Sequence, residues 1–456
     1  MTPVNDPASL TRRTLLRGAA GGAALLAGGG LPAWARPVAG SAAGVRRPDS
    51  LPFPHRPAGH PSMPEIEHIV VLMMENHSFD NVLGMVGHEV PGRADVDGLT
   101  RRHGRVTNVN RDTAGRRVYA RRAASPCQLN AVPSQAWNAS HTAYAGGRNS
   151  GFVKASGDVA MEYWDRHDLP FTYSLARHFP IGERYFCSVL AQTYPNRRFF
   201  FAGTSSGTVD DKTDAIQADP ANGTIFDRLD QHAIHWGIYY ESNPSIDIII
   251  TDFKAAWTPR INKMDRFYTD AAAGHLPSFT FLDPNYGTTS EENPQDIQVG
   301  ERFVASVVNA LMRAPTWHRT ALFLTYDEHG GYYDHVPPPR AIRPDSIAPI
   351  HSPNTPPLAP GTFNRYGFRV PTIVVSPWAK PGYVSRVVQD HTSITSFVRR
   401  KWNLPAMTFR DANAAPMTDY FNFKHAAFAK PPKLAAPPSL GPGLAACHAA
   451  GLTPPL

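Results

Sequence analysis

The chain has 456 residues, 42% of them hydrophobic, and a formal net charge of +7. That is ample for a full core in one large or two small domains. The positive excess is diffuse, with no Lys/Arg cluster interleaved with aromatics, so nothing points to nucleic acid binding.

In chain order, the first element is a targeting segment. Arg12-Arg13 form a twin-arginine pair, Gly18 to Leu31 is weakly apolar, and Ala33-Trp34-Ala35 offers a small-x-small cleavage site. The apolar stretch falls short of about 18 residues and is rich in glycine, so no transmembrane anchor is expected in the mature form. A signal of this kind passes folded protein to the twin-arginine export machinery. The mature protein is therefore expected to be secreted, periplasmic or cell-wall associated. The expected organisation is a signal peptide at 1–35, a flexible Pro/Gly/Arg-rich leader at 36–64, a catalytic domain at 65–429 and a Pro/Ala-rich tail at 430–456.

Ile69 to Met74 is an apolar, β-type run that stops at Glu75 and Asn76, after which His77-Ser78-Phe79-Asp80 opens a helix. In open α/β sheets the chemistry lies beyond the carboxyl ends of strands. A carboxylate and an amide placed there both offer oxygen to a hard cation. A second run, Ala321 to Tyr326, ends the same way in Asp327-Glu328, followed by His329-Gly330-Gly331. Adjacent buried carboxylates repel each other unless a cation lies between them. Between these two segments, Gln192-Thr193-Tyr194-Pro195 predicts a helix start, since proline suits the first turn. Thr193 is then placed where free amides and the helix dipole attract phosphate and favour an alkoxide.

Val299, Phe303, Val304, Val307, Val308 and Leu311 recur at helical spacing and predict a core-facing helix before the Asp327 strand. Helix and strand alternate along most of the chain, which favours one doubly wound sheet over two domains. Arg340 to Phe363, rich in Pro and Ser, reads as a long loop near the site mouth. Three cysteines, Cys127, Cys187 and Cys447, leave open whether Cys127 pairs with Cys187 or all three are small buried hydrophobes.

The motif ENHSFDNVLG resembles the ENRSFDHxxG signature of a phosphoesterase family comprising bacterial phospholipases C, plant non-specific phospholipases C and related acid phosphatases. The likeness continues through FCSVLAQTYPNRRFFFAGTSSG, TYDEHGGYYDHVPPP, VPTIVVSPWAKPGYVSR and DHTSITSFVRRKWNL. It implies an α/β, alkaline-phosphatase-like doubly wound fold with a mostly parallel sheet flanked by helices. It also implies Glu75, Asn76, Asp327 and Glu328 as metal ligands, Thr193 as metal-bound nucleophile, and His141 facing the phosphate. Oxygen ligands place Ca²⁺, Mg²⁺ or Mn²⁺ ahead of Zn²⁺.

The chain departs from the family pattern at two places. His77 stands where the family often has Arg, and so is not expected to perform the chemistry. Asn293 stands where many members have a histidine, which leaves His335 and His391 as candidates to protonate the leaving group. The reading that follows is an exported, metal-dependent phospholipase C acting on phospholipid at a membrane surface through a phosphothreonine. Its mouth is expected to be lined by Phe199 to Phe201, Tyr332, Tyr333 and Trp137. Two alternatives remain: an acid phosphatase on the same site, and a non-catalytic exported lipid- or glycan-binding protein. A binder has no need to keep both a metal set and a nucleophile.

Overall fold

The computed structural model describes residues 44–127, 132–212, 220–250, 254–350, 356 and 358–439. The expected signal peptide at 1–35, Cys447 and the tail beyond residue 439 lie outside the described residues. Eight strands form one sheet: β1 (His68–Met74), β2 (Ile181–Gly182), β3 (Trp236–Tyr240), β4 (Ile261–Lys263), β5 (Phe279–Asp283), β6 (Thr320–Tyr326), β7 (Thr372–Val375) and β8 (Val384–Ser385). Their order across the sheet is β4-β3-β5-β1-β6-β7-β2-β8. Every pairing is parallel except those that β7 makes with β6 and β2. Strands contributed from residue 68 through 385 share this one sheet.

The unbroken apolar runs of β1 and β6 are what a sheet covered on both faces requires. From Ile69 to Met74 and from Thr320 to Tyr326 no residue is exposed by more than a few per cent. Register then places the site. Leu72 lies opposite Leu282 of β5 on one side and Leu324 of β6 on the other, and Met74 lies opposite Tyr326. Glu75-Asn76 and Asp327-Glu328 therefore emerge side by side at the carboxyl edge.

Two sets of helices pack together. The first includes α4 (Thr193–Ala202) with α7 (His391–Trp402), and the second α6 (Ile297–Arg313) with α3 (Pro170–His178) and α5 (Met264–Ala273). The predicted helix before β6 is α6, started by Asp296, whose carboxylate accepts from Gln298 N at 2.8 Å. Its Phe303, Val307, Val308 and Leu311 are buried, each side chain stabilising the fold by roughly 1.5–3 kcal/mol. A short α1 (Phe79–Val82) follows β1, capped by Ser78, and α2 is Trp137–Tyr144.

Where it is described, the leader hydrogen-bonds to the segment after α7. Asp49 N donates to Ala406 O at 2.8 Å, and Asn403 Nδ2 donates to the carbonyls of Phe53, Arg56 and Pro57. Asn403 ends α7 in a left-handed conformation, which turns its amide toward the leader. The described part of the tail is tied as well, through Arg302 to Pro438 O at 2.7 Å and Ala435 N to Ser174 at 3.0 Å. Cys127 is disulfide-bonded while Cys187 is a free, buried thiol, so Cys127 and Cys187 do not pair.

Candidate active site

The loop from β1 turns at Asn76, which sits at φ +64°. Gly330 takes φ +63°, and a Cβ there would lie 1.8 Å from Asn76 O. Only glycine allows the two strand-end loops to come together in this way. Asp327 Oδ1 then accepts from the amides of Asn76 (3.1 Å) and Glu328 (2.7 Å), which ties both loops to one carboxylate.

Helix α4 begins at Thr193, one residue earlier than the proline suggested, with Gln192 as its cap. Asn196 steadies the preceding loop, accepting from Val189 N at 3.0 Å and donating to Ala191 O at 2.9 Å. Thr193 and Arg197 are four residues apart and share a helix face. Both line a cavity of about 300 Å³ together with Glu75, Tyr194, Asp211, Ser245, Tyr286 and Glu292. Buried Arg197 reaches Asp327 (3.0 Å), Asp283 (3.0 Å) and Glu75 (3.3 Å). Burial alone would depress this guanidinium, but Tyr286, Asp327, Glu75 and Asp283 outweigh it and keep it charged.

One arginine cannot balance this many acids. Burial, then Glu292 and Asp327, raises Glu75 well above the usual carboxylate range. Burial and Asp327 raise Glu328 likewise. Glu292 is pushed up to about 7 by burial and Asp327, and Asp211 to about 7 by burial, Asp327 and Glu292. Asn76 Oδ1 and Glu328 Oε1 are buried without a hydrogen-bond partner. Two orphaned hard oxygens among under-neutralised carboxylates fit a divalent cation. Glu75, Asn76, Asp327 and Glu328 are the residues that would hold it, with the Thr193 hydroxyl beside the cavity.

Among the described residues, one group of three ligand-type side chains has its ligand atoms within 4.8 Å of one another: Asp80, Asp334 and His335. Its acids are already paired with cations. Arg369 donates to Asp80 (3.0 Å) and Asp334 (2.9 Å), and His335 bridges Asp80 (2.7 Å) and Asp97 (2.9 Å). Burial pulls His335 down, but the Asp80 carboxylate outweighs it and lifts it to about 9. A cation would have to displace two others here, so the cluster is an ion-pair clasp. It joins α1 to the segment after β6.

The predicted histidines lie elsewhere. His391 is buried in α7, donating Nε2–H to Asp327 O at 2.6 Å, with the Tyr185 hydroxyl 3.1 Å from Nδ1. Burial lowers it to about 4, so it is neutral, and it buttresses the Asp327 backbone from behind. His335 belongs to the clasp. His141 lines a separate cavity of about 440 Å³ with Trp137, Val189, Leu190 and Arg365. Its Nδ1–H is given to Trp137 O at 2.8 Å. His77 packs against Tyr332 at 5.1 Å and donates to Glu291 O, a core role.

The aromatic mouth is also placed differently. Phe199, Phe200 and Phe201 are wholly buried, Trp137 packs on His141, and Tyr332 stacks on His77. Tyr194, Tyr286, Ile248 and Ile249 line the cavity instead. The described parts of the 340–363 loop line the His141 cavity and another near Thr408. Sequence reading missed Arg197, Asp211, Asp283, Tyr286 and Glu292. Asp283 carried a usable signal, because Phe279 to Asp283 is a third apolar strand ending in an acid. Glu292 is the neighbour of Asn293, the position at which the chain departs from the family pattern.

These strand ends, with an acid-lined cavity beside a helix-start threonine, define a class of hydrolase that acts on phosphoric esters. The chain belongs to the phosphoesterase family, whose model matches residues 66–405. It is similar to non-specific phospholipase C1 of Arabidopsis thaliana, 30% identical over 414 residues, covering 82% of this chain and 74% of that protein. It is similar also to phospholipase C A of Mycobacterium tuberculosis (strain CDC 1551 / Oshkosh), 29% identical over 442 residues and covering 86% and 81%. An alkaline phosphatase superfamily protein from Vibrio parahaemolyticus aligns over 78% of this chain and 70% of its own, with 8% identity and a TM-score of 0.38.

Proposed function

We propose that the protein is a metal-dependent phospholipase C that cleaves glycerophospholipids into diacylglycerol and a phosphorylated head group. The observation that carries this reading is the pair of orphaned oxygens, Asn76 Oδ1 and Glu328 Oε1, at the strand ends beside the Thr193 cavity. A divalent cation held by Glu75, Asn76, Asp327 and Glu328 would supply positive charge to the phosphoryl oxygens and to the Thr193 hydroxyl. Thr193 Oγ1 forms the new bond to phosphorus, and the bond from phosphorus to the glycerol oxygen breaks in line. The Thr193 hydroxyl gives up its proton as the bond to phosphorus forms, and the glycerol oxygen takes up one proton, through water in the cavity, and departs with both acyl chains. Water then cleaves the phosphothreonine, releasing the head-group phosphate and restoring the hydroxyl. Arg197 holds Glu75, Asp283 and Asp327 in place through both half-reactions. His141, His335 and His391 stay outside this scheme, since their nitrogens are engaged elsewhere or face another cavity.

A lipid would be read here from its polar end. A cavity of about 300 Å³ admits a phosphate and head group but not two acyl chains, which would stay in the bilayer. Tyr194, Ile248, Ile249 and Tyr286 supply the apolar wall that faces such a substrate. We also propose export by the twin-arginine route, on the strength of Arg12-Arg13 and Ala33-Trp34-Ala35.

The test is turnover of phosphatidylcholine, phosphatidylethanolamine and p-nitrophenyl phosphate by the purified mature protein at equal concentration. Faster cleavage of either phospholipid is expected. Rapid cleavage of the aryl phosphate with none of the lipids would replace this reading with the acid phosphatase one.

A further inference from the structure

Asp211 stands in an unusual position for an acid in a site that must receive an anion. One carboxylate oxygen accepts from the Tyr194 amide at 2.7 Å, and the other from Gln192 Nε2 at 3.2 Å. The Tyr194 amide is among the first in α4, which have no carbonyl of their own helix to satisfy them. Such amides ordinarily receive phosphate oxygens. Here the amide next to the Thr193 hydroxyl already carries an anion supplied by the protein. Asp211, Glu75 and Glu292 share the cavity wall, and among its described lining residues the one cation is Arg197. Arg197 is engaged with Glu75, Asp283 and Asp327.

A phosphodiester brings one negative charge and two terminal oxygens. A phosphomonoester brings a third terminal oxygen and close to two charges near neutral pH. The third oxygen needs one more donor at Thr193, and the donor at hand is the amide that Asp211 covers. Its extra charge also meets a fixed like charge a few ångströms away, where an interaction at partly screened distances changes affinity by an order of magnitude or more.

We propose that Asp211 is a specificity-determining residue, which favours phosphodiesters over phosphomonoesters by occupying the Tyr194 amide with its own carboxylate. This rests on Thr193 as the nucleophile. Burial and the neighbouring acids lift Asp211 to about 7, so the comparison is made at about pH 8.5, where the carboxylate is charged.

The experiment measures kcat and KM for bis(p-nitrophenyl) phosphate and p-nitrophenyl phosphate, and the inhibition constant of inorganic phosphate. It uses the wild type, Asp211→Asn and Asp211→Ala. Removing the charge should lower the diester-to-monoester ratio of kcat/KM by about tenfold or more and tighten phosphate inhibition by a similar factor. The change should appear mainly in the monoester KM, with Asn, which keeps an acceptor for the amide, showing the smaller effect. An unchanged ratio, including a proportionate fall on both esters with no gain in phosphate affinity, would overturn the proposal and leave Asp211 as a support for the start of α4. Asp211→Asn preserves volume and keeps the test open if Asp211→Ala does not fold. A parallel Thr193→Ala arm separates the two readings. If that variant is inactive and the ratio holds, only the role of Asp211 fails, whereas an active Thr193→Ala protein removes the nucleophile itself.

Discussion

Replacing His335 with Gln should remove a defined part of the protein's stability and alter its dependence on pH. The ring is 22% exposed and lies between Asp80 and Asp97, and the fold lifts it from the ordinary 6.5 to about 9. A group whose folded value is raised gives stability that is complete below its unfolded value and disappears as pH rises through the folded value. The window here runs from about pH 6.5 to about pH 9. A shift of this size corresponds to about 3 kcal/mol, a large share of the stability of a typical domain. Asp80 is pulled the opposite way: burial raises it, but His335 and Arg369 outweigh burial and hold it below the usual range. Its own contribution is therefore lost only in acid, outside this window.

Urea unfolding of wild type and His335→Gln at about pH 6 and about pH 10 measures the effect. At the lower pH the variant should be less stable by about 3 kcal/mol, and at the higher pH the two should nearly converge. Asp211 and Glu292, pushed up to about 7 by burial and neighbouring acids, are present in both proteins, so their contribution cancels in the difference. If the gap between the proteins does not narrow as pH rises, the ring is not held charged by the clasp, and the ion-pair account of Asp80, Asp334 and His335 is wrong.

Thr193→Ala should abolish turnover while leaving fold and metal content intact, and retention of more than about a tenth of the activity would show that another group attacks phosphorus. Asp327→Asn should lower bound metal and activity together, as read by elemental analysis and initial rates, because the site loses a full charge. Chelation should inactivate the wild type reversibly. Less than about a tenth of an equivalent of any divalent metal in the untreated protein would overturn the metal assignment.

The sheet was legible because its central strands are buried on both faces. Ile69–Met74 and Ala321–Tyr326 could be read as apolar runs without needing a partner to explain them. The amphipathic stripe of α6 was legible for the same reason, since burial leaves a period in the sequence. The leader was not. Residues 44–64 are tied through scattered backbone hydrogen bonds to Asn403, Ala406 and Lys401, and contacts of that kind leave no periodicity. The site divides along the same line. Glu75, Asn76, Asp327 and Glu328 stand where strands end, so chain order alone brings them to one edge. Arg197, Asp211 and Glu292 come from a helix face and two loops, and only the folded chain brings them to the same cavity.

The histidines show how burial separates residue type from role. His77, His329 and His391 are all lowered by burial, to about 4, about 3 and about 4. At neutral pH each is an uncharged ring that orders the backbone or the aromatic core. His391 hydrogen-bonds the carbonyl of the very residue whose carboxylate anchors both strand-end loops. Its loss should therefore reach the chemistry through the position of Asp327 and not through a missing proton. An exposed histidine in a cleft is a fair candidate acid, but solvent access is what makes its proton available. The groups here that combine cavity access with a value near 7 are carboxyls, Asp211 and Glu292. The same crowding of acids that lifts them is what a cation at the proposed Asn76 and Glu328 site would relieve. Neutralising the site with metal should lower both carboxyls, so removal of the metal and titration of the site are one linked equilibrium.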